Sequence, residues 1–189
     1  MAEFPEEVRE RTDALDAAGN ATAAIGMGVA IGSAALVSLA WYGAFVVRLK
    51  GLDVEVNLDG VNILDPITLA FVLIGAMNPY WFAALTMKSV GKAAGEMVEE
   101  GKNQFAQVDH EGKSILIGST KIFPDYDRCI AISTKSSLKE MVAPGALVIG
   151  APLIAGTLCG IQAVFGLLTG SLVSAVQLAV SMSNSGGAW

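Results

Sequence analysis

The chain is short of charged residues and has very little cysteine and histidine. Asp, Glu, Lys and Arg make up 16% of its 189 residues, with two cysteines and one histidine. Soluble domains carry roughly 25% charged residues, so the shortage argues against an ordinary soluble domain. Cys129 and Cys159 fall in regions of different polarity, which argues against a disulfide or a metal-binding pair. No ligand spacing surrounds His110, so we expect it to be a solvated surface residue.

Charge is entirely absent from three long runs. They cover residues 17–47, 66–87 and 141–189, and the last contains 49 residues. A helix needs about 20 apolar residues to cross roughly 30 Å of hydrocarbon. The last run therefore fits two crossings joined by a tight turn near Gly160 to Gly166. With 53% apolar residues and a mean hydropathy of +0.55, the chain is predicted to be an all-α integral membrane protein. Its four transmembrane helices would belong to a larger helical bundle.

The runs divide one partial membrane domain, residues 1–189, into crossings and a loop. The predicted elements are crossings at about 17–47, 64–88, 141–161 and 165–188, with a cytoplasmic loop at about 89–140. Helical spacing of apolar residues extends the second crossing to about residue 101, and Pro124 suits the first position of a further helix. The loop is therefore predicted to be partly helical.

Lysine and arginine are unevenly distributed between the connections. Residues 49–65 carry Lys50 as their one cation, just after Arg48, whereas ten of the 12 cations lie in the N-terminal segment and in residues 88–140. By the positive-inside rule, the N-terminus, the long loop and the C-terminus face the cytoplasm. The environment is a lipid bilayer, and no nucleic-acid partner is expected.

One face near the start of the first helix is polar where lipid contact would require apolar residues. Asp13, Asp16 and Asn20 recur at helical spacing, and Ala23 and Met27 continue the same face. Carboxylate and amide oxygens are ligands for Mg²⁺, which usually keeps some of its waters. The face is therefore either a metal or phosphate site, or a polar helix entry with ordinary capping.

Two further polar clusters lie near predicted cytoplasmic ends of helices. Asp125, Asp127 and Arg128 form either a charged cluster at an opening or a solvated helix start. Residues 181–185 contain three serines and Asn184. These side chains either line a cavity or form hydrogen bonds between helices.

Six segments resemble, in order, the motifs of the membrane-integral inorganic pyrophosphatases. They are RERTDALDAAGNATAAIG, GVAIGSAAL, GAMNPYWFAALTMKSVGKAA, PDYDRCIAISTKSSLKEM, PGALV and SNSGGAW. Members of that family are sixteen-helix homodimeric pumps that hydrolyse pyrophosphate with Mg²⁺ on the cytoplasmic side and drive H⁺, or in some members Na⁺, across the membrane. The resemblance implies that the chain is a fragment corresponding to about four of those helices, the twelfth to fifteenth.

The resemblance also gives roles to single residues. Asn20 matches the asparagine of the family's GNTTA motif, which lines the hydrolytic site, and Asp13 and Asp16 match the acids before it. Ala23 stands where potassium-independent members have a lysine, which implies stimulation by K⁺. The family's catalytic Asp and Lys are expected just after Trp189, so no catalytic residue is assigned within the chain.

The chain departs from the family's motifs at three positions. Ala21 replaces the first threonine of GNTT, Met27 replaces the usual lysine of GKG, and Asn78 replaces an apolar residue before Pro79. The main acidic Mg²⁺-pyrophosphate motif does not occur in the 189 residues. No acid or base lies in the membrane runs, and such residues usually carry ion transport. We therefore expect the isolated chain neither to hydrolyse pyrophosphate nor to pump.

By resemblance, the function is that of one part of a K⁺-stimulated, pyrophosphate-driven H⁺ pump that uses Mg²⁺. Its partners would be the remaining helices and a second subunit, in a vacuolar or acidocalcisomal membrane of a eukaryote or otherwise in a plasma membrane. A rotary-ring proteolipid is disfavoured, because it needs a carboxylate in mid-membrane. A non-catalytic four-helix scaffold or assembly protein remains the alternative.

Overall fold

The computed structural model describes residues 5–51, 61–107 and 124–189, and these ranges form five helices without a strand. The helices are α1 (Glu6–Lys50), α2 (Pro66–Phe105), α3 (Tyr126–Glu140), α4 (Val142–Cys159) and α5 (Ile161–Ala188). The prediction of an all-α protein is confirmed. His110 and the rest of residues 108–123, which belong to the expected loop, lie outside the described residues.

Four helical stretches in the described ranges are long and apolar enough to cross a membrane. They are Glu6–Lys50, Pro66–Phe105, Tyr126–Cys159 and Ile161–Ala188. The 45 residues of α1 extend about 68 Å at 1.5 Å per residue, more than twice the roughly 30 Å of hydrocarbon. The helix is therefore longer than one crossing requires, as the charged residues at its start already indicated.

Aspartates begin two of the helices. The Oδ2 atom of Asp65 accepts hydrogen bonds from the backbone N–H of Thr68 at 3.1 Å and from its Oγ1 at 3.2 Å. Asp125 is the N-cap of α3, since its Oδ1 accepts a hydrogen bond from the backbone N–H of Arg128 at 3.0 Å. Such caps satisfy backbone donors that have no partner within the helix. Because Asp125 occupies the cap, α3 begins two residues later than the Pro124 start predicted from the sequence.

The helices are divided between two compact units. The α2–α3 unit comprises Met1–Arg9 and Ala83–Ala146, and the α5 unit comprises Glu10–Phe82 and Leu147–Trp189. Close backbone contacts at glycines hold the α5 unit together, whereas paired polar side chains hold the α2–α3 unit together.

Three glycines bring α5 against α2 in the α5 unit. A Cβ on Gly166 would overlap the carbonyl of Thr68, a Cβ on Gly170 would overlap the carbonyl of Val72, and a Cβ on Gly75 would overlap that of Leu167. We call Gly75, Gly166 and Gly170 the glycine seam. Small residues four apart allow this backbone approach in membrane helices.

Helix α5 also packs against α1 and α4. Phe165, 3% exposed, contacts the ring of Tyr42 edge-on at 5.7 Å and that of Phe45 at 5.3 Å. The buried residues Ala155 of α4 and Ala163 of α5 cluster with Leu167. Helix α5 thus contacts each of the other helices in its unit.

The turn between α4 and α5 is a single residue. Gly160 has φ +81°, a left-handed conformation that favours glycine, and α5 resumes at Ile161. The expected turn extended to Gly166, which lies instead inside α5. Gly166 contacts α2. Helix α5 begins at Ile161, before the expected start of the crossing at residue 165.

The α2–α3 unit is held together by paired polar side chains, which we call the polar seam. The pairs are Ser89 and Lys92 with Glu140, Glu96 with Ser136, Glu100 with Arg128, and Gln104 with Asp125 and Cys129. Residue numbers rise along α2 while those of their partners on α3 fall, so the two helices run antiparallel.

The centre of the polar seam is buried. Glu100 is 5% exposed and its Oε2 lies 3.0 Å from Nε of Arg128. The amide of Gln104 donates to Oε1 of Glu100 at 2.9 Å and accepts from the backbone N–H of Asp125 at 3.0 Å. Both carboxylate oxygens of Glu100 therefore have partners, as a buried charge requires.

Candidate functional site

The polar face of α1, defined as Asp13, Asp16 and Asn20, is present on one continuous helix in the α5 unit. The Nδ2 atom of Asn20 donates to Oδ2 of Asp16 at 3.4 Å. Both aspartates are exposed and Asn20 is half-buried. The structure therefore brings two of the three predicted site residues into direct contact and leaves the carboxylates accessible.

Close helix contact begins one turn beyond Asn20. Ala24 is 3% exposed, and a Cβ added to Gly187 would lie 3.1 Å from both its Cα and its Cβ. A Cβ on Gly28 would lie 3.5 Å from Oδ1 of Asn184. These contacts place the SNSGGAW segment of α5 beside α1 near the polar face.

The sequence reasoning assigned Ala23 but missed Ala24. Ala23 and Met27, which continue the polar face, are exposed. The contact with α5 is made by Ala24 and Gly28, which point to a neighbouring side of the helix. The four-residue spacing of these small residues was the signal for a packing face.

Two serine hydroxyls among residues 181–185 form hydrogen bonds within their own helix and not with another helix. Ser183 Oγ donates to the carbonyl of Val180 at 3.0 Å, and Ser185 Oγ donates to that of Ser181 at 2.7 Å. Both bonds remain within α5. Asn184 alone in this group is shown against another helix, through its position beside Gly28.

The Asp125–Arg128 cluster has structural partners in the α2–α3 unit. Asp125 caps α3, and Arg128 pairs with Glu100. At the other end of the polar seam, the hydrogen bond and the positive charge of Lys92 hold the pKa of Glu140 below its usual range. These charged groups stabilise the helix pair.

The donor atoms of the polar face suit one side of a Mg²⁺-phosphate site. Among the described residues there is no group of three or more His, Cys, Asp or Glu side chains that could hold a metal. Mg²⁺ commonly binds through one or two carboxylates together with water and substrate phosphates. Asp13 and Asp16 supply that number of carboxylates, and Asn20 adds an amide.

Comparison with known proteins matches the whole chain to pyrophosphate-driven pumps. A putative K(+)-stimulated pyrophosphate-energized sodium pump of Clostridium tetani is 48% identical over 189 residues, which is all of this chain and 26% of the relative. A K(+)-insensitive pyrophosphate-energized proton pump of Methanosarcina mazei is 41% identical over the same length and share. A K(+)-stimulated pyrophosphate-energized sodium pump of Thermotoga maritima is 39% identical over 193 residues, again with 26% covered.

The chain thus spans about a quarter of the length of the relatives it matches. Four stretches long and apolar enough for a membrane fit an integral membrane protein. The family model for inorganic H⁺ pyrophosphatase matches residues 1–189. The chain therefore belongs to the inorganic H⁺ pyrophosphatase family.

Proposed function

We propose that the chain supplies one wall of the pyrophosphate site in a membrane pump that hydrolyses pyrophosphate with Mg²⁺ and moves a cation across the bilayer. The observation that carries the proposal is the polar face of α1, held beside the SNSGGAW end of α5 by the contact between Ala24 and Gly187. Membership of the family and the pyrophosphate-driven relatives support the same activity.

The residues of the polar face have distinct roles in this proposal. The carboxylates of Asp13 and Asp16 would hold Mg²⁺, which when bound neutralises charge on the phosphate oxygens. The amide of Asn20 would donate a hydrogen bond to a phosphate oxygen. Its present bond to Oδ2 of Asp16, at 3.4 Å, is long for a hydrogen bond and would be exchanged at little cost.

Potassium stimulation is proposed from Ala23. Its methyl group is exposed on the side of α1 that carries Asn20, and no cation lies between residues 17 and 47. Without a fixed ammonium, a bound K⁺ would supply positive charge near the phosphates. The relatives include K(+)-stimulated and K(+)-insensitive pumps, for sodium and for protons, so we base the assignment on this position.

The transport path is proposed to lie in helices beyond these four. The uncharged runs contain no acid or base, whereas moving cations through a bilayer usually requires ionisable groups. The remaining helices, and a second subunit, would complete the pump. The relatives named above come from bacteria and archaea, which favours a plasma membrane.

A chimera tests the proposed activity. Residues 1–189 replace the matching quarter of the Thermotoga maritima pump, and the purified protein is assayed for phosphate release from Mg²⁺-pyrophosphate and for cation transport in liposomes. We expect both activities in the chimera and neither in the 189-residue chain alone. A folded but inactive chimera would contradict the proposal and favour a non-catalytic scaffold.

The Ala23 assignment is tested in the same chimera. Ala23→Lys places an ammonium on the polar side, and we expect hydrolysis to become independent of K⁺. Ala18→Lys adds the same charge on another side of α1 and should leave K⁺ stimulation in place. Full activity of the unsubstituted chimera without K⁺ would contradict the assignment.

A further inference from the structure

We infer that Ala24 and Gly187 form a positioning contact that sets the separation between the polar face of α1 and the end of α5. The inference rests on the proposed function and assigns residues that touch neither substrate nor metal. It is based on the space available for a side chain, which differs between Gly187 and Gly186, and on the register of α1 against α5.

The close approach is specific to one glycine. A Cβ on Gly187 would meet Cα and Cβ of Ala24 at 3.1 Å, whereas a Cβ on Gly186 would meet nothing within 4 Å. On α1, a Cβ on Gly26 would also meet nothing within 4 Å. A methyl group at Gly187 would therefore require α1 to move by a few tenths of an ångström, whereas there is room for one at Gly186.

Two contacts fix the register of the helices. Ala24 faces Gly187, and Gly28 faces Asn184, so a step of one turn along α1 corresponds to a step of one turn backward on α5. The helices therefore cross antiparallel at a defined register. Asn20 lies one turn before Ala24 on the same unbroken helix, so a shift at Ala24 is transmitted to Asn20.

A methyl group at position 187 cannot be accommodated by rotating a side chain. The opposing atoms include Cα of Ala24, which moves only if the backbone of α1 moves. Contacts that bind the substrate equally in the ground state and the transition state change KM without changing kcat when they are weakened. A change confined to packing would lower stability but leave substrate affinity as it was.

The activity test uses the chimera with Gly187→Ala and with the double variant Ala24→Gly/Gly187→Ala. We expect Gly187→Ala to raise KM for Mg²⁺-pyrophosphate about tenfold with kcat within about twofold, because the shifted wall is the one proposed to bind substrate. Removing the methyl of Ala24 relieves one of the two 3.1 Å contacts and leaves the one to its Cα, so the double variant should recover part of the change in KM. An unchanged KM in Gly187→Ala, or no recovery in the double variant, overturns the inference.

A second test is independent of activity. In the 189-residue chain with Cys129→Ser and Cys159→Ser, the pair Gly28→Cys and Asn184→Cys is cross-linked in membranes by a short bifunctional maleimide. We expect Gly187→Ala to lower the cross-linked fraction at least threefold and the matched Gly186→Ala to leave it unchanged. Equal cross-linking in both variants overturns the positioning contact. A folded, inactive chimera with the expected cross-linking instead overturns the proposed function, and with it the link between this contact and hydrolysis.

Discussion

The two units of the molecule hold their helices together by opposite means. In the α2–α3 unit, carboxylates, amides and hydroxyls pair across the helices, and even the buried Glu100 has a partner for each oxygen. In the α5 unit, Gly75, Gly166 and Gly170 bring backbones together with few polar bonds. Between membrane helices there is no hydrophobic driving force, so close packing has to supply the attraction. The α2–α3 unit instead uses charge, which suits the cytoplasmic location predicted for it.

The comparison predicts that added volume is most damaging at the glycine seam. Gly170→Leu should lower the free energy of unfolding by about 3 kcal/mol or more, because its side chain would displace the backbone of α2 at Val72. The measurement is thermal unfolding of the chain in detergent. Gly150→Leu is the control, since a Cβ there meets nothing within 4 Å. Equal losses in the two variants would show that the glycine seam does not require small residues.

Loss of charge should be most damaging at the polar seam. Arg128→Met leaves the carboxylate of Glu100, 5% exposed, without its cation, and we expect about 1–3 kcal/mol of destabilisation. Hydrogen exchange of α3 amides measures the loss. Lys135→Met removes a cation from the exposed surface of the same helix and should cost less than about 0.5 kcal/mol. Adding Glu100→Gln to Arg128→Met should recover part of the loss, and no recovery would contradict a role for the buried charge.

A single polar bond in the α5 unit should contribute little. Tyr42→Phe removes the part-buried hydrogen bond between the Tyr42 hydroxyl and Oγ1 of Thr169, 3.1 Å apart. We expect a loss of about 0.6 kcal/mol, a typical value between membrane helices. Tyr80→Phe removes the more exposed bond to Gln177 and should have a smaller effect. A loss above about 2 kcal/mol for Tyr42→Phe would mean that polar bonds hold this unit too.

The smallest effect is expected at the exposed end of the polar seam. Lys92 lowers the pKa of Glu140, so the pair stabilises the fold above the ordinary glutamate value of about 4.3. That contribution is lost as the pH falls through the lowered pKa. Lys92→Met should raise the pKa of Glu140 in a carboxylate NMR titration, with Lys88→Met as the control. An unchanged pKa in Lys92→Met would rule out the pairing in solution.

The helices of the fold could be predicted because uncharged length is a strong signal, but their contact faces could not. On α2 the apolar spacing through Met87, Val90 and Val98 correctly indicated that the helix continues past the predicted crossing, and α2 ends at Phe105. Those side chains are 55%, 67% and 56% exposed, whereas Glu100 on the adjacent side is buried. In a sequence, an acidic residue such as Glu100 is expected to be exposed unless its partner is known. That partner, Arg128, lies on a different helix, so the spacing within α2 could not reveal it.

For the candidate site, too, the features within one helix could be predicted and the contacts between helices could not. The polar face of α1 follows from the spacing of Asp13, Asp16 and Asn20 within one helix. The contact between Ala24 and Gly187 joins residues far apart in sequence, so helix periodicity could not pair them. Gly166 illustrates the ambiguity of glycine, which serves equally in turns and in close helix contacts.

The one-residue turn at Gly160 has a consequence for biosynthesis. The 49 uncharged residues from Met141 onward reverse direction at a glycine with φ +81°, so no hydrophilic loop separates α4 from α5. An excess of Lys and Arg in the short segments that flank membrane helices usually sets their orientation. No Lys or Arg lies between α4 and α5, so we expect the cationic segment synthesised before the hairpin to set the orientation of both helices.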